Sequence, residues 1–153
     1  MNKLKSLLWV VLFATVAFSC SDDDDVTLST SASLTSASKG WVVSAATISP
    51  AFLGITDWYA QLEACDQDDA TIFTSDGKYK IESTVKCDST EPTIIETGTW
   101  TLSSDNKVLS MTTGSDVTES TIVEANAGTI KVTQTDELNG VKYTLTMTMT
   151  PKK

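Results

Sequence analysis

The sequence predicts an all-β protein, an eight-stranded antiparallel up-and-down barrel with one short helix in its first long connection. Three observations carry that expectation. Val141–Thr150 alternates without a break between apolar or aromatic residues and Lys or Thr, the two-residue period of a strand with one buried face. Turn-forming groups, Ser75-Asp76-Gly77, Ser104-Asp105-Asn106, Gly114-Ser115-Asp116, Ala127-Gly128 and Asn139-Gly140, stand between such runs and imply hairpins. Only the connection from Ser49 to Asp69 is long. A succession of hairpins with a single apolar face buries that face, and removes its exposed edges, by closing on itself. A two-layer sandwich gives similar signals but needs longer crossings.

The N-terminus precedes the barrel and reads as an address. Met1–Lys5 carries two lysines, Leu7–Phe18 is apolar except for Thr15, and small Ser19 precedes Cys20, the regions of an export signal over residues 1–19. As a helix this apolar run rises only about 18 Å against about 30 Å of bilayer hydrocarbon, so a permanent span is the weaker reading. Ala17-Phe18-Ser19-Cys20 resembles a bacterial lipobox, which implies that Cys20 is lipidated and begins the mature chain. Asp22-Asp23-Asp24-Asp25 resembles the acidic surface-export signal of Bacteroidetes lipoproteins; on charge alone it is a solvated spacer. Thr27–Ser38 is rich in Ser and Thr and is expected to be a flexible tether, so residues 20–38 comprise the lipidated cysteine, the acidic signal and that tether, and residues 39–153 a single barrel domain. The expected location is the outer membrane, lipid-anchored, with the barrel at the cell surface; an anchor facing the periplasm is the alternative.

Strands are expected over 40–48, 70–74, 78–84, 95–103, 107–113, 117–125, 129–136 and 141–150. Their parity assigns faces. Tyr79 and Ile81, Gly98, Trp100 and Leu102, Ile130 and Val132, and Tyr143, Leu145 and Met147 point inward, while Lys78, Lys80 and the threonines point out. In the long connection, Ile55, Trp58 and Leu62 recur at helical spacing and predict the short helix over 55–62. Trp41, at the start of the first strand, is expected to plug the core.

Composition excludes several chemistries. The chain has no histidine, and all eleven basic residues are lysines. This removes a Ser-His-Asp triad, a Cys-His pair, His-ligated zinc and bidentate arginine clamps. No enzymatic activity, cofactor or metal is expected, and Asp66, Asp68 and Asp69 lack the spaced oxygens of a calcium loop. After Ser19 there are nine lysines against 20 carboxylates, a formal charge of −11 that repels nucleic acid; membrane contact must come from acyl chains. With Cys20 assigned to lipid, Cys65 and Cys87 remain as an even pair in an oxidising compartment, for which a disulfide is expected and two free thiols are the alternative. Asp88-Ser89-Thr90 resembles a Bacteroidetes O-glycosylation site in an exposed loop.

Lys39-Gly40-Trp41, Ala64-Cys65 with Asp68-Asp69 leading into Phe73, Asp76-Gly77 and Tyr79, then Lys86-Cys87 and Gly98-Thr99-Trp100-Thr101-Leu102, resemble the lipocalin-like domains of Bacteroidetes lipoproteins. Thr56–Leu62 is similar to the connection in those domains, and the likeness runs over about 39–150. The resemblance implies a lipocalin-like barrel, supports a Cys65–Cys87 bridge and, by analogy alone, favours binding of a small apolar ligand; the chain is expected to be a monomer. Gly40 and Trp41 are adjacent where true lipocalins have Gly-x-Trp, and no arginine exists to pack on the tryptophan. The expected ligand contacts are Trp58 and Tyr59, which with Phe52 and Leu53 would form a lid, and inward Tyr79, Glu96, Trp100, Tyr143, Leu145 and Met147. A non-catalytic structural, interaction or inhibitor module with a filled core is the alternative, because lining and core residues share the same parity.

Overall fold

A computed structural model describes residues 28–153, so Cys20, the export signal and the acidic run lie outside the described residues. Nine strands follow one helix. Helix α1 (Thr30–Ser36) precedes β1 (Trp41–Phe52), β2 (Ile55–Asp57), β3 (Ala70–Phe73), β4 (Lys78–Glu82), β5 (Ile94–Leu102), β6 (Val108–Thr113), β7 (Asp116–Ala125), β8 (Ile130–Leu138) and β9 (Val141–Pro151). From β3 to β9 each strand pairs antiparallel with the next. The last strand returns to the first, from Trp41↔Pro151 to Ser49↔Thr144, and β1 meets β3 at Trp41↔Thr71. Eight strands, β1 with β3–β9, therefore close an up-and-down barrel, as the alternation and hairpin turns predict.

The helix is not where the sequence places it. The long connection holds no α-helix: it continues as β2, hairpinned to β1, and then a single 3₁₀ turn over Tyr59–Gln61. Leu53 and Gly54 both take left-handed backbone, φ 51° and 82°, the pair of positive values that reverses one strand into the next. Asp57 Oδ1 then accepts the Ala60 N–H at 3.1 Å, and the extended Leu62 stops the turn.

The helix that does form is α1, within the stretch expected to be a tether. Ser29 caps it by accepting the Ala32 N–H at 3.2 Å. Seven residues of Ser, Thr, Ala and Leu do not hold a helix alone. Leu34 supplies the tertiary anchor: it is fully buried, and its carbonyl accepts the Trp41 indole N–H at 2.7 Å. Trp41 is itself almost wholly buried, so the expected plug is a Leu34–Trp41 unit that seals one end of the barrel.

That end is packed solid. Phe73, Tyr79, Trp100, Leu109, Ile130, Val132 and Met149 join Leu34 and Trp41 in one cluster, each apolar side chain contributing about 1.5–3 kcal/mol by leaving water. Phe73 meets Trp100 edge-on at 5.7 Å, and Trp100 Nε1 donates to the Thr74 carbonyl at 3.1 Å. The indole thereby keeps its polar atom satisfied inside the core.

Candidate functional site

The opposite end is hollow, because the ladder between β7 and β8 stops short. Its register runs from Ala125↔Ile130 to Thr121↔Thr133, while Asp116–Ser120 pairs only with β6 and Gln134–Leu138 only with β9. At the fork Gln134 Nε2 donates to the buried Ser120 Oγ at 2.9 Å. Above this polar floor the two strands diverge around a cavity of about 500 Å³ lined by Ile48, Trp58, Thr118, Asp136, Tyr143 and Leu145, among others. A smaller chamber of about 200 Å³ shares Ile48, Trp58, Asp136 and Tyr143 with it and adds Phe52 and Leu138.

Local pairing places the walls. Ile48 sits opposite Leu145 across β1 and β9, and Asp136 sits opposite Tyr143 across β8 and β9. The β1–β2 reversal swings Trp58 back onto β1, where its N–H bonds the Ala46 carbonyl at 2.9 Å. Phe52 stands between two rings, edge-on to Trp58 at 6.2 Å and to Tyr143 at 5.5 Å. Such perpendicular pairs add about 0.5–1.5 kcal/mol each beyond their buried area.

Three of the sequence-predicted contacts, Trp58, Tyr143 and Leu145, meet at this cavity. Tyr79 and Trp100 lie in the packed end, and Met147 packs against that cluster from partial burial. Glu96 is joined to the core through its Oε1, which accepts the Tyr79 phenol at 2.5 Å and the Thr113 hydroxyl at 3.0 Å. Burial, and then this carboxylate, hold the Tyr79 phenol above its ordinary range. Tyr59 does not line the cavity; it lines a second hollow of about 510 Å³ with Ala45, Thr47 and Asp57, which meets the cavity at Ile48. Leu53, at the hairpin tip, is 86% exposed and covers nothing. Ile48, Thr118, Gln134 and Asp136 line the cavity and do not figure among the sequence-predicted contacts. Their signal was inward parity, which Gln134 and Asp136 share with Val132.

Cys65 and Cys87 form a disulfide, Cα to Cα 5.2 Å, that ties the loop before β3 to the loop after β4. Glu63 lies beside them, yet the bridged sulfurs offer no thiolate to a metal. Asp68 accepts the Val85 N–H at 3.1 Å, and its carbonyl takes a bond from Lys152 Nζ at 2.9 Å. Asp69 is raised from the usual carboxylate range by burial, opposed by a Ser83 hydrogen bond and helped by the nearby charges of Asp66, Asp68 and Glu91. These carboxylates hold loops together beside the disulfide. Ser89 is exposed in the second loop, as its motif requires.

In a comparison with known families, residues 38–132 fit the model described as a lipocalin-like domain, from just after α1 into β8. No curated protein matches the chain.

Proposed function

The chain belongs to the lipocalin-like domain family, and from that premise we propose that it is a non-catalytic, lipid-anchored binding module whose barrel mouth takes a small molecule with an apolar body. The cavity carries this reading. Its volume of about 500 Å³ falls within the range of small-molecule sites, and aromatic and aliphatic walls with a few polar groups are the usual makeup of such sites. The packed half below it serves as a rigid base, so a filled core at one end and a binding site at the other are compatible.

Residues 1–25 support an address at the outer membrane: an export signal, Cys20 as acyl acceptor and four successive carboxylates directing the barrel to the cell surface. Cys20→Ala releases the protein from membranes on this reading. Replacing Asp22 to Asp25 with Ala leaves it anchored but shielded from external protease; unchanged protease sensitivity would sink the surface assignment and leave the anchor standing.

Native mass spectrometry of the full chain purified from its source cell tests the binding role. A reproducible small molecule that co-purifies, and is lost in Trp58→Ala and Tyr143→Ala, is the expected result. An empty barrel whose melting temperature no apolar compound shifts would favour an interaction or inhibitor module instead.

A further inference from the structure

The smaller chamber at the mouth has a composition that a purely apolar ligand does not need. Phe52, Trp58 and Tyr143 surround it, the Phe52 ring steeply inclined to each of the other two, and the Asp136 carboxylate stands at the same rim. Asp136 Oδ1 accepts the Glu137 N–H at 2.7 Å, and among the described residues no lysine forms an ion pair with it. No lysine lines either chamber, and Glu119 adds a second carboxylate to the wall of the larger one. An electron-rich ring attracts a cation at its face, and a carboxylate beside several rings supplies the counter-charge. The chain's net charge of −9 draws cations toward the mouth and disfavours anions.

We infer that this aromatic chamber is a site for an ammonium group, and that the ligand of the barrel is a cationic amphiphile: a substituted ammonium head held by Phe52, Trp58, Tyr143 and Asp136, with its apolar tail lying along the wall formed by Ile48 and Leu145. The inference deepens the proposed binding role and rests on it for the tail; the head site stands on the rings and the carboxylate. Floor chemistry agrees with the orientation. Gln134 Nε2 donates to Ser120 Oγ, so the floor beneath the tail presents no charge.

The test compares ligands of one tail length and three heads, octyltrimethylammonium, octyl glucoside and octyl sulfate, titrated calorimetrically against the full chain below their micellar concentrations. Tetramethylammonium serves as the head alone. The cationic ligand is expected to bind about tenfold more tightly than the neutral one, the sulfate least tightly, and added salt to weaken only the cation's binding. Asp136→Asn, at an exposed position, and Trp58→Leu, which keeps an apolar wall but removes the ring, should each bring the ratio of cationic to neutral affinity down from about tenfold toward one, whatever either does to octyl glucoside binding itself. Equal binding of cationic and neutral ligands overturns the ammonium site and leaves the apolar-ligand reading standing. Tetramethylammonium binding without any tailed ligand gaining affinity supports the head site and overturns the tail. Failure of all four probes overturns both.

Discussion

The indole N–H of Trp41 reaches the main-chain carbonyl of Leu34 at 2.7 Å, and both residues are buried at the sealed end of the barrel. This bond converts a short, weakly helical segment into the floor of the fold. Leu34→Ala removes a fully buried side chain and is expected to cost about 2–5 kcal/mol. Trp41→Phe keeps a ring but strands a buried carbonyl, for about 1–3 kcal/mol. Urea denaturation measures both, and amide exchange over Thr30–Ser36 should rise sharply in either variant. Unchanged exchange there would mean that the helix does not depend on the barrel.

The Cys65–Cys87 bridge closes a loop of sequence separation 22, which restricts the unfolded chain by roughly 3 kcal/mol in the entropic account. Because both loops lie outside the β3–β4 hairpin, the double variant Cys65→Ser/Cys87→Ser should keep the barrel while losing about that much stability. Denaturation with and without reductant separates the cases: wild-type protein should move toward the variant on reduction, and the variant should not respond.

Tyr79 crosses β4 and β5 to face Gly98, and that position accepts no side chain. A Cβ on Gly98 would stand 2.7 Å from Tyr79 Cε1 and press on the Thr112 carbonyl. Gly98→Ala should therefore push the phenol away from Glu96 and Thr113 and destabilise by about 1–3 kcal/mol. Adding Tyr79→Leu relieves the ring contact but not the carbonyl one, so the double variant should be more stable than the two single losses added together. Strict additivity in a thermal or urea series would show that the two residues do not interact.

The strands were legible because a closed barrel imposes one rule, alternate burial, on every run, and short turns leave few alternatives. The two helical features were not. Thr30–Ser36 offers a single bulky residue, so no apolar stripe marks it, and Leu34 enters the core only once the closed barrel brings distant strands, β3 and β7 among them, up to the helix. Ile55, Trp58 and Leu62 do recur at helical spacing, but two successive left-handed residues at Leu53 and Gly54 commit the chain to a hairpin first. The site was half legible for a related reason. Parity separates inside from outside but says nothing of height along the barrel axis. Tyr143, set opposite Asp136, reaches the hollow mouth, whereas Tyr79 and Trp100, of equal inward parity, fall in the solid end. Height depends on register, and the premature end of the β7–β8 ladder that opens the cavity is a register feature.

Acid stability follows from the turns that make the hairpins. Asp76 is lowered from 3.8 to about 2, first by the Thr74 hydroxyl and then by Lys78 at 2.9 Å. Asp105 is lowered chiefly by the Ser103 hydroxyl at 2.6 Å, and Asp88 chiefly by the Thr90 N–H at 2.8 Å. A carboxyl whose folded value lies below its unfolded value binds fewer protons when folded, so it contributes stability above the unfolded value and loses it as pH falls through the folded one. For Asp76 that window runs from 3.8 down to about 2. Asp69 acts in the opposite sense: its raised folded value is a penalty at neutral pH that protonation relieves on acidification. Melting temperatures across the acid range should therefore fall toward the bottom of that window in the wild type, fall less steeply in Asp76→Asn, and fall more steeply in Asp69→Asn, whose neutral-pH stability should exceed that of the wild type. An Asp76→Asn variant that tracks the wild type through the whole window would show that the turn carboxylates do not set the acid limit.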